Sequence, residues 1–553
     1  MIYRRLLILA LVALLSSGCG LLGGSRQATP EPIIIVASPT AGSGQTQPTA
    51  PRATVNPANT ATLAAQTTTT PNVPTGTSAP GATSETGASK GKLVFAFDAF
   101  PTYYPGIIME VRQLLQKRGY ELQLVPFGLE GEAPSEAERW AKLRSGEWDV
   151  LATTLDGFAR QSDASIGAIT TVIDESAGAD KLVVKPEITT LNDLRAKRIS
   201  FSEGSVGEYF LYYALSLAGL TPQDVTLVAR PSVADAVTAF NNGEVDAVSG
   251  WEPDILDAEQ KGGKVLIASD KLRAILDVLI SSRPALSNKA EALQAFHDAW
   301  YEALKITIDT PDQAGIDIVS WGHPDWTFVA APEDFRVSLE KLAQANLGAN
   351  QIAFQSPQLL SSRLNEARGV WERAGQQPPE VTLSELIDGR FVQAAARQPG
   401  LSASQAPVNS SFLLTERVEL PQLSEQDLQA AQTVVKLPLE KIDFQPESTR
   451  LTTQAEQDLI NQVLPVLRSS RLYLKIEGSS AWPGPEGRFS QEDIRAFALS
   501  RATSVQTFLV QQGIDPNRLL VGSIDAKFPN SVSEEELAQD RYVRFTLVTT
   551  GGR

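Results

Sequence analysis

An α/β fold of two similar lobes with mainly parallel sheets, followed by a small α+β domain, is what this sequence predicts. Three observations carry that expectation. Short apolar runs suited to buried strands, KLVFAF from Lys92 and ELQLVPF from Glu121, alternate with amphipathic stretches such as Ile107 to Lys117. A helix, a Gly-Glu-x-Asp turn and a buried strand occur twice, in AKLRSGEWDVLATT (141–154) and TAFNNGEVDAVSGW (238–251). Two related lobes would produce that repeat, and so would a chance recurrence of a common helix-turn-strand pattern. From about Leu437 the pattern changes to the short strands KIDF, LYLKIEG, LLVGSI and YVRFTLV, separated by two helices. At 553 residues the chain exceeds what one core serves, at roughly 100–200 residues per domain.

The N-terminus carries Arg4 and Arg5, an apolar run from Leu6 to Leu15, and then Ser16, Ser17, Gly18 and Cys19. A short positive segment, a short apolar segment and small residues are the pattern of a secretory signal. Because the small residues end on the chain's one cysteine, residues 1–18 resemble a bacterial lipoprotein signal, although Ser16 stands where that family usually has leucine. The resemblance implies cleavage before Cys19 and lipidation of its thiol. An uncleaved anchor is the other reading, and a run of ten apolar residues is short for about 30 Å of hydrocarbon. Residues 19–90 are rich in Thr, Pro, Ala and Gly, as in TATLAAQTTTTPNVPTGTSAP, and are expected to form a tether.

The next segments are VIDESAGADKLVV (172–184), LNDLRAKRISFSEGSVGEYFLYYAL (191–215), GLTPQDVTLV (219–228), DAVTAFNNGEVDAVSGWEPDI (235–255) and FHDAWYEALKITIDTPDQA (296–314). Taken in this order they resemble the nitrate/sulfonate/taurine-type substrate-binding proteins of ABC transporters and the related thiamine-precursor-binding proteins. The resemblance covers about residues 92 to 396. It implies a periplasmic-binding-protein-like domain of type II over 91–396, with two lobes closing on a small ligand and the segment 320–396 wrapping back onto lobe one.

Candidate ligand residues follow from strand ends that should open toward a cleft. After the strand RISF the chain turns at Gly204 and enters a helix at Ser205 and Val206, where backbone N–H groups would cradle an anion; Ser205 equally reads as a plain helix cap. Thr153, Thr154 and Asp156 occupy the analogous turn of lobe one. Trp251 offers a flat wall to an organic ligand or packs a lobe, while Glu252 and Asp174 are possible partners for an amine. These carboxylates, with little arginine nearby, favour a neutral, zwitterionic or amine-bearing solute over a dianion.

Residues 397–436 read as a linker, and residues 437–550 as the α+β domain. The segments KIDFQPESTRL, LYLKIEG, RATSVQTFLVQQGIDPNRLLVGS and DRYVRFTLV resemble an OmpA-like peptidoglycan-binding domain. That family binds the diaminopimelate of the peptide stem with an aspartate after the IEG-like strand and an arginine opening the RAxxV helix. Arg501 matches the arginine, whereas the aspartate position falls on Ala481. Glu486, in a longer loop, is the candidate for the missing carboxylate. Arg541 is kept from the family's final motif, which here reads Asp540-Arg541-Tyr542-Val543.

Composition excludes much else. A net charge of −16 offers no basic stripe for nucleic acid, and two histidines, His297 and His323, leave little material for a hydrolase triad or a His-rich metal site. No enzyme activity, cofactor or metal is expected. The chain reads as an extracytoplasmic, membrane-anchored receptor whose partners are a small organic solute, an ABC permease, peptidoglycan and, through Cys19, a membrane. The alternative is a structural envelope lipoprotein whose binding lobes act as a spacer or docking domain.

Overall fold

The structure, a computed structural model, describes residues 89–127, 134–161, 163–322, 329, 331–410, 418–482, 489–526 and 533–550. Cys19, His323 and Glu486 lie outside the described residues, as do the signal and nearly all of the tether.

The strands in chain order are β1 (Lys92–Asp98), β2 (Glu121–Phe127), β3 (Val150–Thr154), β4 (Gly167–Ser176), β5 (Asp180–Val184) and β6 (Arg198–Ser202). They continue with β7 (Thr226–Arg230), β8 (Ala247–Trp251), β9 (Lys264–Ala268), β10 (Leu276–Ser282) and β11 (Leu342–Gln344). Sheet one has the order β11-β4-β10-β3-β1-β2, and sheet two β7-β6-β8-β5-β9. In sheet one β1 is parallel to β2 and β3, and β10 is antiparallel to β3 and β4. Sheet two repeats the plan, with β6 parallel to β7 and β8, and β5 antiparallel to β8 and β9. The antiparallel member of each sheet arrives from the other lobe. The chain therefore crosses between lobes twice, after Ser176 and after Ala268. Every residue of β4, β5 and β10 is buried, as strands covered on both faces must be.

The repeat noticed in sequence marks equivalent positions. Gly146 and Gly243, both at φ 77°, end helices Glu136–Ser145 and Val233–Asn241. Asp149 Oδ2 then accepts from the Val94 N–H at 2.9 Å, and Asp246 Oδ2 from the Arg198 N–H at 3.0 Å. In each lobe this bond lies one residue before the pairing of first and third strands, Phe95 with Val150 and Ile199 with Ala247. The aspartate thus sets strand register.

Two local expectations change. The helix predicted over Ile107 to Lys117 runs only from Pro105 to Val111, because Gln113 adopts φ 54° and a short 3-10 turn follows at Gln116–Arg118. That break lets Leu114 and Leu115 both reach the core. The C-terminal helices do not serve lobe one alone. Helix Arg390–Ala395 packs on the long helix Ala290–Asp309, but Pro357–Arg373 packs against Leu155–Gln161 of lobe one and Val206–Leu217 of lobe two. Its Trp371 is buried between Tyr209 and Tyr212, with ring centroids at 5.6 and 5.9 Å, and donates Nε1–H to the Asp156 carbonyl at 3.0 Å.

The third sheet holds β12 (Gln432–Val435), β13 (Lys441–Asp443), β14 (Tyr473–Gly478), β15 (Leu519–Ser523) and β16 (Tyr542–Thr549). Its order is β12-β16-β14-β15, with β13 also on β16. β12 comes from the stretch read as linker; buried Val434 and Val435 hold it there. The first helix of this domain carries a π segment at Leu459–Val463 before Leu464–Arg468, where Pro465 has no N–H to donate. Helix Gln491–Gln511 lies so close to β14 that a Cβ on Gly478 would stand 1.9 Å from the Ala498 carbonyl oxygen.

Candidate functional site: the interlobe cleft and the C-terminal arginines

Five aspartates converge where the lobes meet. Asp98 ends β1, Asp156 opens the helix after β3, Asp174 lies on β4, Asp277 on β10, and Asp180 begins β5 at the crossing. Asp174 and Asp277 are direct partners across the β4–β10 ladder. All but Asp98 are at most 3% exposed. Thr102 and Asp277 are polar neighbours of the Asp174 carboxyl, yet neither of its oxygens completes a well-formed hydrogen bond. The Tyr103 hydroxyl neighbours Asp277, and Ser176 Oγ donates to Asp180 at 2.6 Å.

Burial governs their acidity. Loss of water pushes Asp156, Asp174 and Asp180 up to about 7, opposed by the neighbouring hydroxyls of Thr154, Thr102 and Ser176 respectively. Asp98 rises to about 6, burial being opposed by the Arg139 guanidinium. Asp277 rises well above the usual carboxylate range, first from burial and then from repulsion by Asp174, Asp180 and Asp98. Near neutral pH the cluster therefore holds protons, which an ammonium or hydroxyl donor could displace or share.

The predicted residues distribute as follows. Asp156 and Asp174 belong to the cluster, and the half-buried Thr153 and Thr154 end the strand that leads to it. Ser205 is the helix cap: its hydroxyl accepts from the Gly207 N–H at 3.2 Å and donates to the Ser202 carbonyl at 2.6 Å. Val206 follows, half-buried against the core. The Gly204 N–H donates to Glu208 at 2.8 Å, so a carboxylate of the helix's own first turn meets its positive end. Trp251 ends β8 opposite Asp180 and packs half-buried against the core around Val233 and Ile255. Glu252 contacts two lysines, Lys181 at 2.7 Å and Lys341. The lobes approach each other beside this region, where a Cβ on Gly204 of lobe two would lie 3.6 Å from Glu136 Oε2 of lobe one.

Sequence reasoning missed Asp98, Asp180, Asp277, Tyr103 and Arg139. Asp98 could have been found, because it terminates a parallel strand at the end where ligands bind. Asp180 and Asp277 sit on the strands that change lobes, whose reversed direction leaves no mark in composition.

His297 is structural. Its Nδ1 lies 2.7 Å from the Leu293 carbonyl oxygen, its ring stacks on Phe391, and burial lowers it to about 4. Among the described residues no group of histidine, cysteine or acidic side chains is placed to hold a metal ion, and no helix is long and apolar enough to cross a membrane.

In the C-terminal domain Arg501 is 1% exposed and donates to the carbonyls of Ser448 and Ser479 at 3.0 Å and Gln445 at 3.3 Å, between the rings of Phe444 and Phe497. Burial first, then the nearby charge of Arg541, lowers it to about 10. Arg541 is also buried and contacts Glu534. Ala481 lies buried beside Ser479 and Ser480. Two guanidiniums thus converge at one end of this sheet.

Residues 144–314 match the family described as NMT1/THI5 like. A putative aliphatic sulfonates-binding protein of Escherichia coli (strain K12) is 27% identical over 206 residues, covering 34% of this chain and 62% of that protein. The taurine-binding periplasmic protein of the same organism is 30% identical over 138 residues, covering 24% and 42%. The chain therefore spans less than two thirds of the length of these relatives. Among solved structures, the periplasmic aliphatic sulphonate binding protein of Escherichia coli is similar at a TM-score of 0.42 and 20% identity, covering 54% of this chain and 98% of that one.

Proposed function

We propose that this chain is a lipid-anchored, extracytoplasmic solute receptor that works with an ABC permease and carries a wall-facing C-terminal module. The observation that carries the reading is the cluster of Asp98, Asp156, Asp174, Asp180 and Asp277 where the two lobes meet. Relatives bearing sulfonate- and taurine-binding names support a small organic solute. The carboxyl cluster favours one with an ammonium group, as a zwitterion has, because a lone dianion would be repelled once any of these groups ionises. Lobe closure around such a solute shifts an open/closed equilibrium that a permease can read.

A thermal-shift screen of the full chain against taurine, alkanesulfonates, nitrate, polyamines and pyrimidine precursors tests this. Binding to the native state alone raises the melting temperature by mass action, by about 2.7 kcal/mol of stability at a hundredfold excess over Kd. A saturable rise lost in Trp251→Ala is expected. No shift across the panel would favour the spacer or docking role instead.

The C-terminal module is proposed to resemble OmpA-like domains in activity as well as in sequence, with Arg501 and Arg541 supplying the cations for a stem-peptide carboxylate. Arg501 already donates to three carbonyls, so Arg541 carries more of the ligand contact. Arg541→Ala should abolish co-sedimentation with purified peptidoglycan while leaving circular dichroism unchanged.

A further inference from the structure

The C-terminal domain does not hang from its linker. Its segment Arg468 to Arg471 lies along the second crossing between the lobes and pairs with it. The Arg471 N–H donates to the Lys271 carbonyl at 2.7 Å, the Arg273 N–H donates to the Ser469 carbonyl at 3.0 Å, and Leu272 and Ser470 form an antiparallel bridge. The Arg471 guanidinium reaches past the crossing to Glu175 on β4, 3.3 Å away. Glu175 is fully buried and also faces Arg273 at 3.7 Å and Arg363 at 3.6 Å.

The same domain grips lobe two separately. Asn192 exchanges two hydrogen bonds with the backbone of Lys436, at 3.0 and 2.8 Å. Pro438 Cγ stands 2.7 Å from where a Cβ on Gly219 would be, and the Tyr213 hydroxyl lies 2.8 Å from the Ser469 carbonyl oxygen. One domain thus holds the crossing, lobe one through Glu175, and lobe two through Asn192 and Tyr213. Rotation of one lobe against the other must break one set of these contacts.

We infer that the C-terminal domain braces the interlobe hinge, so that its docking and the closure of the cleft form one linked equilibrium. The brace is seated while Gly204 of lobe two approaches Glu136 of lobe one, which fixes the sign: docking favours closure, and undocking opens the lobes. By reciprocity, a solute that closes the lobes tightens the docking, and a pull on the C-terminal domain loosens solute, with couplings between such sites typically about 5- to 150-fold in affinity. The inference rests on the two-lobed fold and not on any particular solute.

The test needs no ligand. In the full chain with Cys19→Ser, nitroxide labels at Glu121→Cys and Thr238→Cys report the interlobe distance, and labels at Glu121→Cys and Thr507→Cys report docking. Arg471→Ala removes the clasp but leaves Arg273 and Arg363 on Glu175, so lobe one keeps a paired carboxylate. Asn192→Ala, at a half-buried surface site, is the second variant should Arg471→Ala fold poorly. Both should broaden the two distance distributions together toward longer values, Arg471→Ala more strongly. A C-terminal label that moves while the interlobe distance stays at its wild-type value would overturn the inference, as would variants in which neither distance changes. Neither result would bear on whether the cleft binds a solute.

Discussion

Replacing Asp277 by asparagine should stabilise the protein, and only above acidic pH. The buried Asp174 next to it moves from an ordinary value of 3.8 to about 7. At about 1.4 kcal/mol per pH unit, its ionisation in the folded state costs about 4 kcal/mol at pH 8. Asp277 itself is raised well above the carboxylate range, by burial first and then by repulsion from Asp174, Asp180 and Asp98; the substitution removes its own ionisation cost, while Asp174 loses a neighbour that lowers it, so a net gain of about 1–3 kcal/mol is expected at pH 8. A carboxyl with a raised folded pKa binds more protons folded than unfolded between about pH 4 and 7, so wild-type stability falls as pH rises through that window. Asp246 and Asp309 act oppositely, since hydrogen bonds and lysines outweigh burial and hold them well below the usual range. Their contribution is lost only below about pH 4 and leaves the window clear. Differential scanning calorimetry of wild type and Asp277→Asn at pH 4.5, 6 and 8 should show the first transition raised in the variant by about 2–6 °C at pH 8, with little difference at pH 4.5. A wild-type stability that climbs from pH 4.5 to 8, or a variant equally destabilised at both ends, would refute the reasoning.

Two further outcomes follow from packing. Trp371→Ala empties a site shared by both lobes and should cost about 3–5 kcal/mol in urea unfolding of the binding lobes, with the third sheet's transition less affected. Gly478→Ala places a methyl 1.9 Å from the Ala498 carbonyl oxygen; the resulting shift of helix against strand should lower the C-terminal domain's transition by more than about 2 kcal/mol, read by calorimetry, while the lobes keep theirs.

Much of the architecture was legible because local pattern and global fold agree. KLVFAF is a strand because it is largely buried inside the sheet, ELQLVPF forms the edge beside it with Leu122 and Phe127 buried, and the Gly-Glu-x-Asp turns recur since each lobe uses its aspartate to fix the first strand. Legibility failed where contacts distant in sequence decide. Gln113 breaks a helix whose periodicity continues unbroken, and β12 is a strand only because β16 is there to pair with it. Of the residues proposed for the site, Asp156 was read from the turn after a strand and Asp174 as a possible partner for an amine, and the structure places both among the buried aspartates. Asp277 stayed hidden in the run ILDVLISS, where nothing marks one aspartate as facing another a hundred residues earlier. Glu252 read as a possible amine partner because sequence shows a polar side chain at a strand end but not the Lys181 that contacts it, and Ser205, open in sequence between an anion cradle and a helix cap, caps its helix.

The most direct measurement of the central claim is isothermal titration calorimetry of the full chain with taurine and with spermidine, on wild type, Asp174→Asn and Trp251→Ala. The account predicts saturable one-site binding of at least one of these amine-bearing probes, weakened at least about tenfold by Asp174→Asn. Absence of heat with both probes, or binding that neither substitution alters, would contradict it.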